Sequence, residues 1–275
     1  MEAMDPRMSA AYEACRRMQR RHDPTYYWAT RRLPADLQPA THALYGYVRT
    51  ADQIVDGPNR PPTPEARRQA LDAWEDELCR ALAGDTAPHP VVAALIHAGR
   101  RHALPLDELG TYMRSMRVDC GPVRIGSDAE LDAYMDGSAG SVGRIMARLL
   151  DVPERFRADF GHLGQAFQLA NFLRDVGEDW ALDRIYVPGV DEDDLGGNTP
   201  ALKAGILAQV RRARAMFATA EPAIAAAPAS VRSGIRVASA AYARILDRVE
   251  TLGGDVLGRR VGVRARDVVA ILVQR

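Results

Sequence analysis

The chain of 275 residues reads as all-α, a bundle of helices. Three observations predict this. Apolar residues recur at spacings of three and four along nearly the whole sequence, the period of one helix face. Strict alternation of polar and apolar residues, the mark of a half-buried strand, is scarce. The breaks between periodic stretches carry Pro and Gly, which interrupt regular structure for different reasons: one lacks a backbone donor and the other lacks a side chain.

In chain order, Arg32-Leu33-Pro34 closes the first helical segment and a helix is expected over 36–56. Gly57-Pro58-Asn59 with Pro61, Pro62 and Pro64 forms a loop, and 84–90 forms another. Ser127 followed by Asp128 and Glu130 is a helix start, because a serine hydroxyl and early acids satisfy the unpaired amides of a first turn. That helix should run over 128–150, with others over 154–179 and 229–250. The stretch 188–200 is the longest irregular one, and its acidic run from Asp191 to Asp194 reads as a solvated loop. Pro222 and Pro228 bracket an Ala-rich piece that is either a helix or a connector. The pattern gives about ten helices. With no internal repeat and no long linker, 1–275 is expected to be a single domain.

Composition narrows the function classes. With 47% hydrophobic and 26% charged residues the chain suits a soluble globular protein. Lys plus Arg equals Asp plus Glu at 36 each, which argues against bulk nucleic-acid binding and leaves room for a local patch that touches a membrane peripherally. The three cysteines, Cys15, Cys79 and Cys120, are odd in number and far apart. They make neither a disulfide framework nor a zinc site and suit a reducing cytoplasm. His97 and His102 are five apart, not the four that aligns two ligands on a helix. The N-terminus has no apolar run behind its basic residues, so no signal peptide is expected. No stretch approaches the roughly 20 apolar residues of a membrane span.

Two segments carry chemistry. In Asp52-Gln53-Ile54-Val55-Asp56 a helical period places the two carboxylates within roughly 40° of each other, with Tyr45 and Arg49 on the same side. Val48, Ile54 and Val55 should face a core. Carboxylates one turn apart can share magnesium, which favours a few carboxylates, waters and phosphate oxygens. The same spacing also suits an exposed salt bridge with Arg49. Further on, Gln168, Asn171, Asp175 and Asp179 follow steps of three, four and four and form one polar stripe flanked by Phe167, Leu169, Phe172 and Leu173. Such a stripe is costly to bury without a partner, so it faces either solvent or a bound cation and anion. Two Asp-x-x-x-Asp helices facing each other across a bundle would hold metal ions between them. The ions would neutralise a diphosphate leaving group, an apolar tunnel would hold its tail, and Arg49, Arg174, Arg259 and Arg260 would be candidate clamps.

These segments resemble the two aspartate signatures of squalene and phytoene synthases. The second, Asn171-Phe172-Leu173-Arg174-Asp175-Val176-Gly177-Glu178-Asp179, runs on into Asp183-Arg184-Ile185-Tyr186-Val187-Pro188, also typical of that family. The stretch from Thr25 to Pro34 resembles its N-terminal substrate segment, most like phytoene synthases of actinobacterial type. Tyr134 followed by Ala139-Gly140-Ser141-Val142-Gly143 resembles its tunnel helix, and Tyr242 to Asp247 and Arg260 to Val263 resemble its C-terminal segments. The resemblance implies an isoprenoid-synthase helical bundle around a central cavity. It implies that Asp52, Asp56, Asp175 and Asp179, with Asn171, hold Mg2+ (or Mn2+). It implies that Arg49, Gln168, Asn171, Tyr186 and Arg260 contact diphosphate or metal-bound water. Tyr45, Tyr134 and Tyr242 would line the cavity, Thr25, Tyr26 and Ser138 would meet substrate, and Ala139, Gly140 and Gly143 would permit close approach of helix or ligand.

The chain departs from the pattern at several places. Gln53 replaces an acid inside the first signature. His22-Asp23-Pro24-Thr25 brings an acid and a proline beside the diphosphate site. Asp136 and Ser138 add polarity to the tunnel helix. Two apart on a helix, these last two cannot both face the cavity, and Ser138 is the expected cavity residue while Asp136 faces solvent. Aromatics are 6% of the chain, so the cavity should be lined mostly by Leu, Ile, Val, Ala and Met.

The implied reaction is head-to-head condensation of two prenyl diphosphates, farnesyl or geranylgeranyl, to a C30 or C40 hydrocarbon with release of diphosphate. No Gly-rich dinucleotide fingerprint is present and no NADPH is expected. An alternative keeps the ionisation and changes the acceptor to an aromatic or other small metabolite, or cyclises one prenyl chain. A non-catalytic subunit would be expected to have eroded aspartates, and all four are in place. Monomer and homodimer are both open.

Overall fold

The computed structural model describes residues 5–258, 261 and 262. Its order is α1 (Pro6–His22), α2 (Pro24–Thr30), α3 (Gln38–Asp56), α4 (Pro64–Ala83), α5 (Pro90–His102), α6 (Glu108–Val118), α7 (Asp128–Met135), a π-helical turn (Asp136–Gly140), α8 (Ser141–Leu149), α9 (Arg157–Ala181), α10 (Glu192–Gly197), α11 (Pro200–Ala226) and α12 (Ala229–Thr251). Two short strands, β1 (Val123–Arg124) and β2 (Arg184–Ile185), pair in parallel with Val123 opposite Arg184.

Several prolines begin helices. Pro6, Pro24, Pro64, Pro90 and Pro200 each open one, where the missing donor costs nothing because that amide has no helical partner. The residue before each supplies the cap. Asp23 accepts from the Tyr26 amide at 2.8 Å, Thr63 from Ala66 and Thr199 from Leu202, both at 3.2 Å. The acidic run 191–194 is not a plain loop, since Asp191 and Asp194 form a reciprocal capping box that starts α10. The Ala-rich piece is helical: α11 passes through Pro222 to Ala226, and Ala220, Ala223 and Ile224 are buried there.

The expected helix over 128–150 is interrupted. Five residues, Asp136–Gly140, make a π-helical turn between α7 and α8. Its small residues are required by neighbours. A Cβ on Gly137 would lie 2.0 Å from the Ser115 hydroxyl, and one on Gly164 would lie 2.4 Å from the Ala139 carbonyl. A Cβ on Gly143 would lie 2.2 Å from the Phe160 carbonyl, so α8 and α9 approach backbone to backbone.

Two apolar cores form. One gathers residues of α1, α3 to α6 and α8 with the N-terminal parts of α9 and α12 and the C-terminal part of α11, and the other gathers residues of α7, the rest of α9, α11 and α12, and the strands. Phe167 and Phe217 pack against both. The cavities lie near this junction. No helix among the described residues is long and apolar enough to cross a membrane.

Candidate active site

α3 and α9 bring both aspartate pairs to one polar chamber of about 230 Å³. Asp52 and Asp56 line it from α3, and Gln168, Asn171, Asp175 and Asp179 line it from α9. The helical period therefore delivers the whole stripe to one wall. Tyr112, Asp119, Tyr134, Ser138, Arg184 and Tyr186 line it as well.

The carboxylates are held individually. The Tyr112 hydroxyl lies 2.9 Å from Asp52 Oδ1 and 3.0 Å from the Val48 carbonyl, so its single proton serves one acceptor at a time. Arg49 Nη1 approaches Asp52 Oδ2 at 3.8 Å. Arg184, only 4% exposed, places Nη2 at 2.6 Å from Asp56 Oδ1 and at 2.6 Å from the Asp119 carbonyl oxygen. Arg174 grips its neighbour Asp175 with two bonds of 2.6 and 2.5 Å. Asp119 is buried and accepts from the Tyr186 hydroxyl at 2.7 Å and from the Tyr134 hydroxyl on its other oxygen.

Burial pushes the Asp52 carboxyl up to about 6, opposed by Arg49 and reinforced by Asp56. Burial likewise lifts Asp119 to about 6, with Arg184 and the two tyrosines opposing. Asp179 is driven well above the ordinary carboxylate range by burial and then by Asp175 beside it. Burial also raises Tyr134 and Tyr186 well above the usual phenol value, so both remain donors. A chamber in which carboxyls resist ionisation is short of positive charge. Its donors are hard oxygens, and the Asn171 Oδ1 is buried without a protein partner. Among the described residues no three acidic, His or Cys side chains converge as a closed metal cage. A few carboxylates without a cage suit magnesium, which keeps waters and takes substrate phosphate oxygens.

A second, apolar cavity of about 230 Å³ adjoins the chamber, sharing Val48, Ser138 and Gln168 in its wall. Val48 packs against the first core, as the helical wheel suggested, and also lines both cavities. The cavity is lined by Leu33, Leu44, Met146 and Leu163, and also by Tyr26, Tyr45, Phe160, Phe167 and Tyr242. The aromatics, scarce in the chain, are concentrated here, which overall composition cannot reveal.

The remaining expected residues fall as follows. Ala139, Gly143 and Ser138 line the apolar cavity, and the Ser138 hydroxyl is buried without a partner. Asp136 turns away, accepting from Arg144 at 2.7 Å and Gln165 at 3.2 Å. A Cβ on Gly140 would reach 2.7 Å from Asp136 Oδ1, so that glycine makes room for this ion-pair network. Tyr134 and Tyr186 line the polar chamber and do not reach the apolar one. Arg49 lines neither cavity and stands beside Asp52. Arg259 and Arg260, and the Thr25 side chain, lie outside what is described. Tyr112 and Asp119 were not foreseen: nothing in their local spacing marks them, and folding alone brings them to Asp52 and Tyr186. Arg184 sat inside a quoted motif without a role.

A helical bundle that joins an apolar cavity to a chamber of paired aspartates defines a terpenoid-synthase-type protein. The squalene/phytoene synthase profile matches residues 19–267, and the chain belongs to that family, whose members transfer prenyl groups. It is 32% identical to a phytoene synthase of Thermus thermophilus over 98% of this chain and 93% of the relative. It is 30% identical to a presqualene diphosphate synthase of Rhodopseudomonas palustris over 91% and 92% of the two chains. The fold superposes on a crystal structure of a dehydrosqualene synthase with a TM-score of 0.86 at 22% identity, covering 96% of this chain and 95% of that one.

Proposed function

We propose that this protein condenses two prenyl diphosphates head to head, without a reductant, and releases diphosphate. One observation carries the reading: the chamber lined by Asp52, Asp56, Asp175 and Asp179 adjoins an apolar cavity, with Val48, Ser138 and Gln168 common to both walls. A substrate with an anionic head and a long apolar tail is the molecule that needs both. The names of the phytoene and presqualene diphosphate synthases similar to it support the same chemistry.

In this reading the four aspartates and Asn171 hold divalent metal, which when bound neutralises diphosphate and makes it a better leaving group. Arg174 and Arg49 add positive charge at the chamber, and Arg260 is proposed to complete the clamp. Arg184 holds Asp56 in place, and Tyr112 does so for Asp52. Tyr26, Tyr45 and Tyr242 line the cavity, where an aromatic ring's π face would attract developing positive charge on the chain. The apolar wall excludes water that would quench a cation. The chain is taken to act as one unit over 1–275 in the cytoplasm.

Ser138 favours a second reading. Its hydroxyl is buried, unpartnered and placed where the cavities meet, so it suits a polar acceptor in place of the second prenyl chain. Product analysis decides between them. Supplied with magnesium and one prenyl diphosphate alone, the protein should yield a C30 hydrocarbon from farnesyl or a C40 hydrocarbon from geranylgeranyl diphosphate, read by mass spectrometry. Diphosphate release that appears only after a co-substrate is added would favour the second reading.

A further inference from the structure

The two polar departures in the 128–150 stretch, Asp136 and Ser138, both belong to the π-helical turn. Ser138 lines the polar chamber and the apolar cavity, and Ala139 beside it lines the cavity. Asp136 begins the turn and looks the other way, into a network of ion pairs. Its Oδ1 accepts from Arg144 Nη1 at 2.7 Å and from Gln165 Nε2 at 3.2 Å. Arg144 places Nε at 3.0 Å from both oxygens of Glu108 and Nη2 at 2.9 Å from Oε2. Arg157 Nη2 donates to Glu108 Oε1 at 2.9 Å. Two acids and two arginines thus tie together α6, the turn, α8 and α9. Gln165 stands one turn before Gln168, which lines both the chamber and the cavity. The polar side chains at the boundary, Ser138 and Gln168, are therefore each backed by a member of this network.

Asp136 and Arg144 are eight residues apart. A straight α-helix would set them about 80° around and about 12 Å along from each other. The π turn, closed by the Ser141 amide on the Asp136 carbonyl, winds more residues into one turn and takes up part of that offset. The ion pair therefore favours the π turn over a continuous α-helix. We propose that Asp136 is a positioning residue that sets which prenyl tail the cavity accepts. With Arg144 it holds the π-helical turn, and the turn holds Ser138 and Ala139 in the wall. A turn relaxed to α-helix slips the chain by one residue, which is a rotation of about 100°. α8 cannot take up that slip, because Gly143 is seated against the Phe160 carbonyl, so it falls on Ser138 and Ala139. This inference rests on the prenyl-synthase reading and adds a determinant of substrate choice to it.

The test reads binding without turnover. The full chain with magnesium is titrated in a calorimeter with inorganic diphosphate and with the S-thiolo analogues of farnesyl and geranylgeranyl diphosphate, whose sulfur leaving group resists ionisation. Wild type should prefer one tail. A pocket wall displaced by the size of a methylene changes discrimination about tenfold or more, so Asp136→Ala should shift the ratio of the two Kd values about tenfold. Its binding of inorganic diphosphate should be unchanged, because the chamber aspartates are untouched. Asp136→Asn keeps an acceptor oxygen for Arg144 and should restore most of the wild-type ratio. Amide exchange across 137–141 should quicken in Asp136→Ala, and thermal melts confirm that both variants are folded. A wild type that binds the two tails alike, a ratio unchanged in folded Asp136→Ala, or unchanged amide exchange overturns the proposal. So does a loss of inorganic diphosphate binding as large as that of the analogues, which would make Asp136 merely structural. A wild type that discriminates between tails but makes no C30 or C40 hydrocarbon would fail the head-to-head reading and leave this one standing.

Discussion

The polar chamber and the apolar cavity share part of one wall and are assembled by opposite rules. The apolar cavity is lined by many side chains drawn from α2, α3, the π-helical turn, α8, α9 and α12, most of them apolar and without a polar partner. Each contributes area removed from water, about 25 cal/mol per Å², and a neighbour of similar volume would serve. The chamber rests on a few charges, each with a named companion: Asp52 with Tyr112, Asp56 with Arg184, Asp175 with Arg174, Asp119 with two tyrosines. Losing a companion of Asp119 leaves a carboxylate that is 5% exposed short of a donor, whereas Asp56 and Asp175 keep part of their surface in water. The difference teaches where tolerance lies. Chain length and acceptor can drift through the cavity wall, whereas the ionising chamber has little freedom.

The largest expected effect is on turnover. Asp52→Asn and Asp175→Asn should each lower kcat by about 10²–10³ or more, through lost stabilisation of charge in the transition state. Chelator should abolish turnover and magnesium restore it. Asp52→Asn should leave the metal-free fold intact or firmer, since burial and Asp56 already resist ionisation of Asp52. If the melting temperature collapsed while activity per folded molecule stayed normal, these aspartates would be structural and the contrast would fail.

Next comes Arg184→Met, which removes the buried partner of Asp56 and of the Asp119 carbonyl. Asp56 is 41% exposed, so water takes over part of Arg184's role there, and the loss should be about 1–3 kcal/mol, mostly from the buried Asp119 carbonyl left without its donor, read by denaturant unfolding. A loss under about 1 kcal/mol would mean that the ion pair behaves like a solvated surface pair. On the apolar side Gly164→Ala should cost about 1–3 kcal/mol, because its Cβ would lie 2.4 Å from the Ala139 carbonyl and push the π-helical turn away from α9. A stabilising result would show that the close approach is not needed.

A pH effect follows from Asp119. Its folded value of about 6 stands above the ordinary 3.8, so the native state binds the proton more tightly than the unfolded chain. The stabilisation is full below the unfolded value and is lost as pH rises through about 6. Metal-free wild type should therefore gain on Asp119→Asn, in relative melting temperature, as pH falls from about 7.5 to about 5. A difference that stays flat or runs the other way would place Asp119 in an ion pair stronger than its burial. The smallest effect is Ser138→Val, which should change stability by under about 1.5 kcal/mol and spare hydrocarbon formation. Loss of prenylation of a co-substrate in that variant, with diphosphate release retained, would favour the polar-acceptor reading.

The helix bundle was legible because a 3.6-residue period is a local property, and so was the stripe from Gln168 to Asp179, which reaches the chamber as its steps of three and four require. The same reasoning placed Asp52 with Asp56 and chose Ser138 over Asp136 as the cavity residue. The prolines do mark helix boundaries, with Pro64, Pro90 and Pro200 on the first turn of the next helix and not in the loop before it. Periodicity did not reveal the π-helical turn, which the close packing of Gly137 and Gly164 accompanies.

What the sequence determined by itself is therefore the set of helices and the charge carried on their faces, since both depend on residues within a turn or two of one another. Which charges meet was decided only by the tertiary structure. Arg184 reaches Asp56 from a strand far along the chain, Tyr112 reaches Asp52 from α6, and Asp119 collects hydroxyls from Tyr134 and Tyr186. Packing the helices withdraws water from Asp119 and Arg184, and a charge buried there without a partner would be too costly to keep.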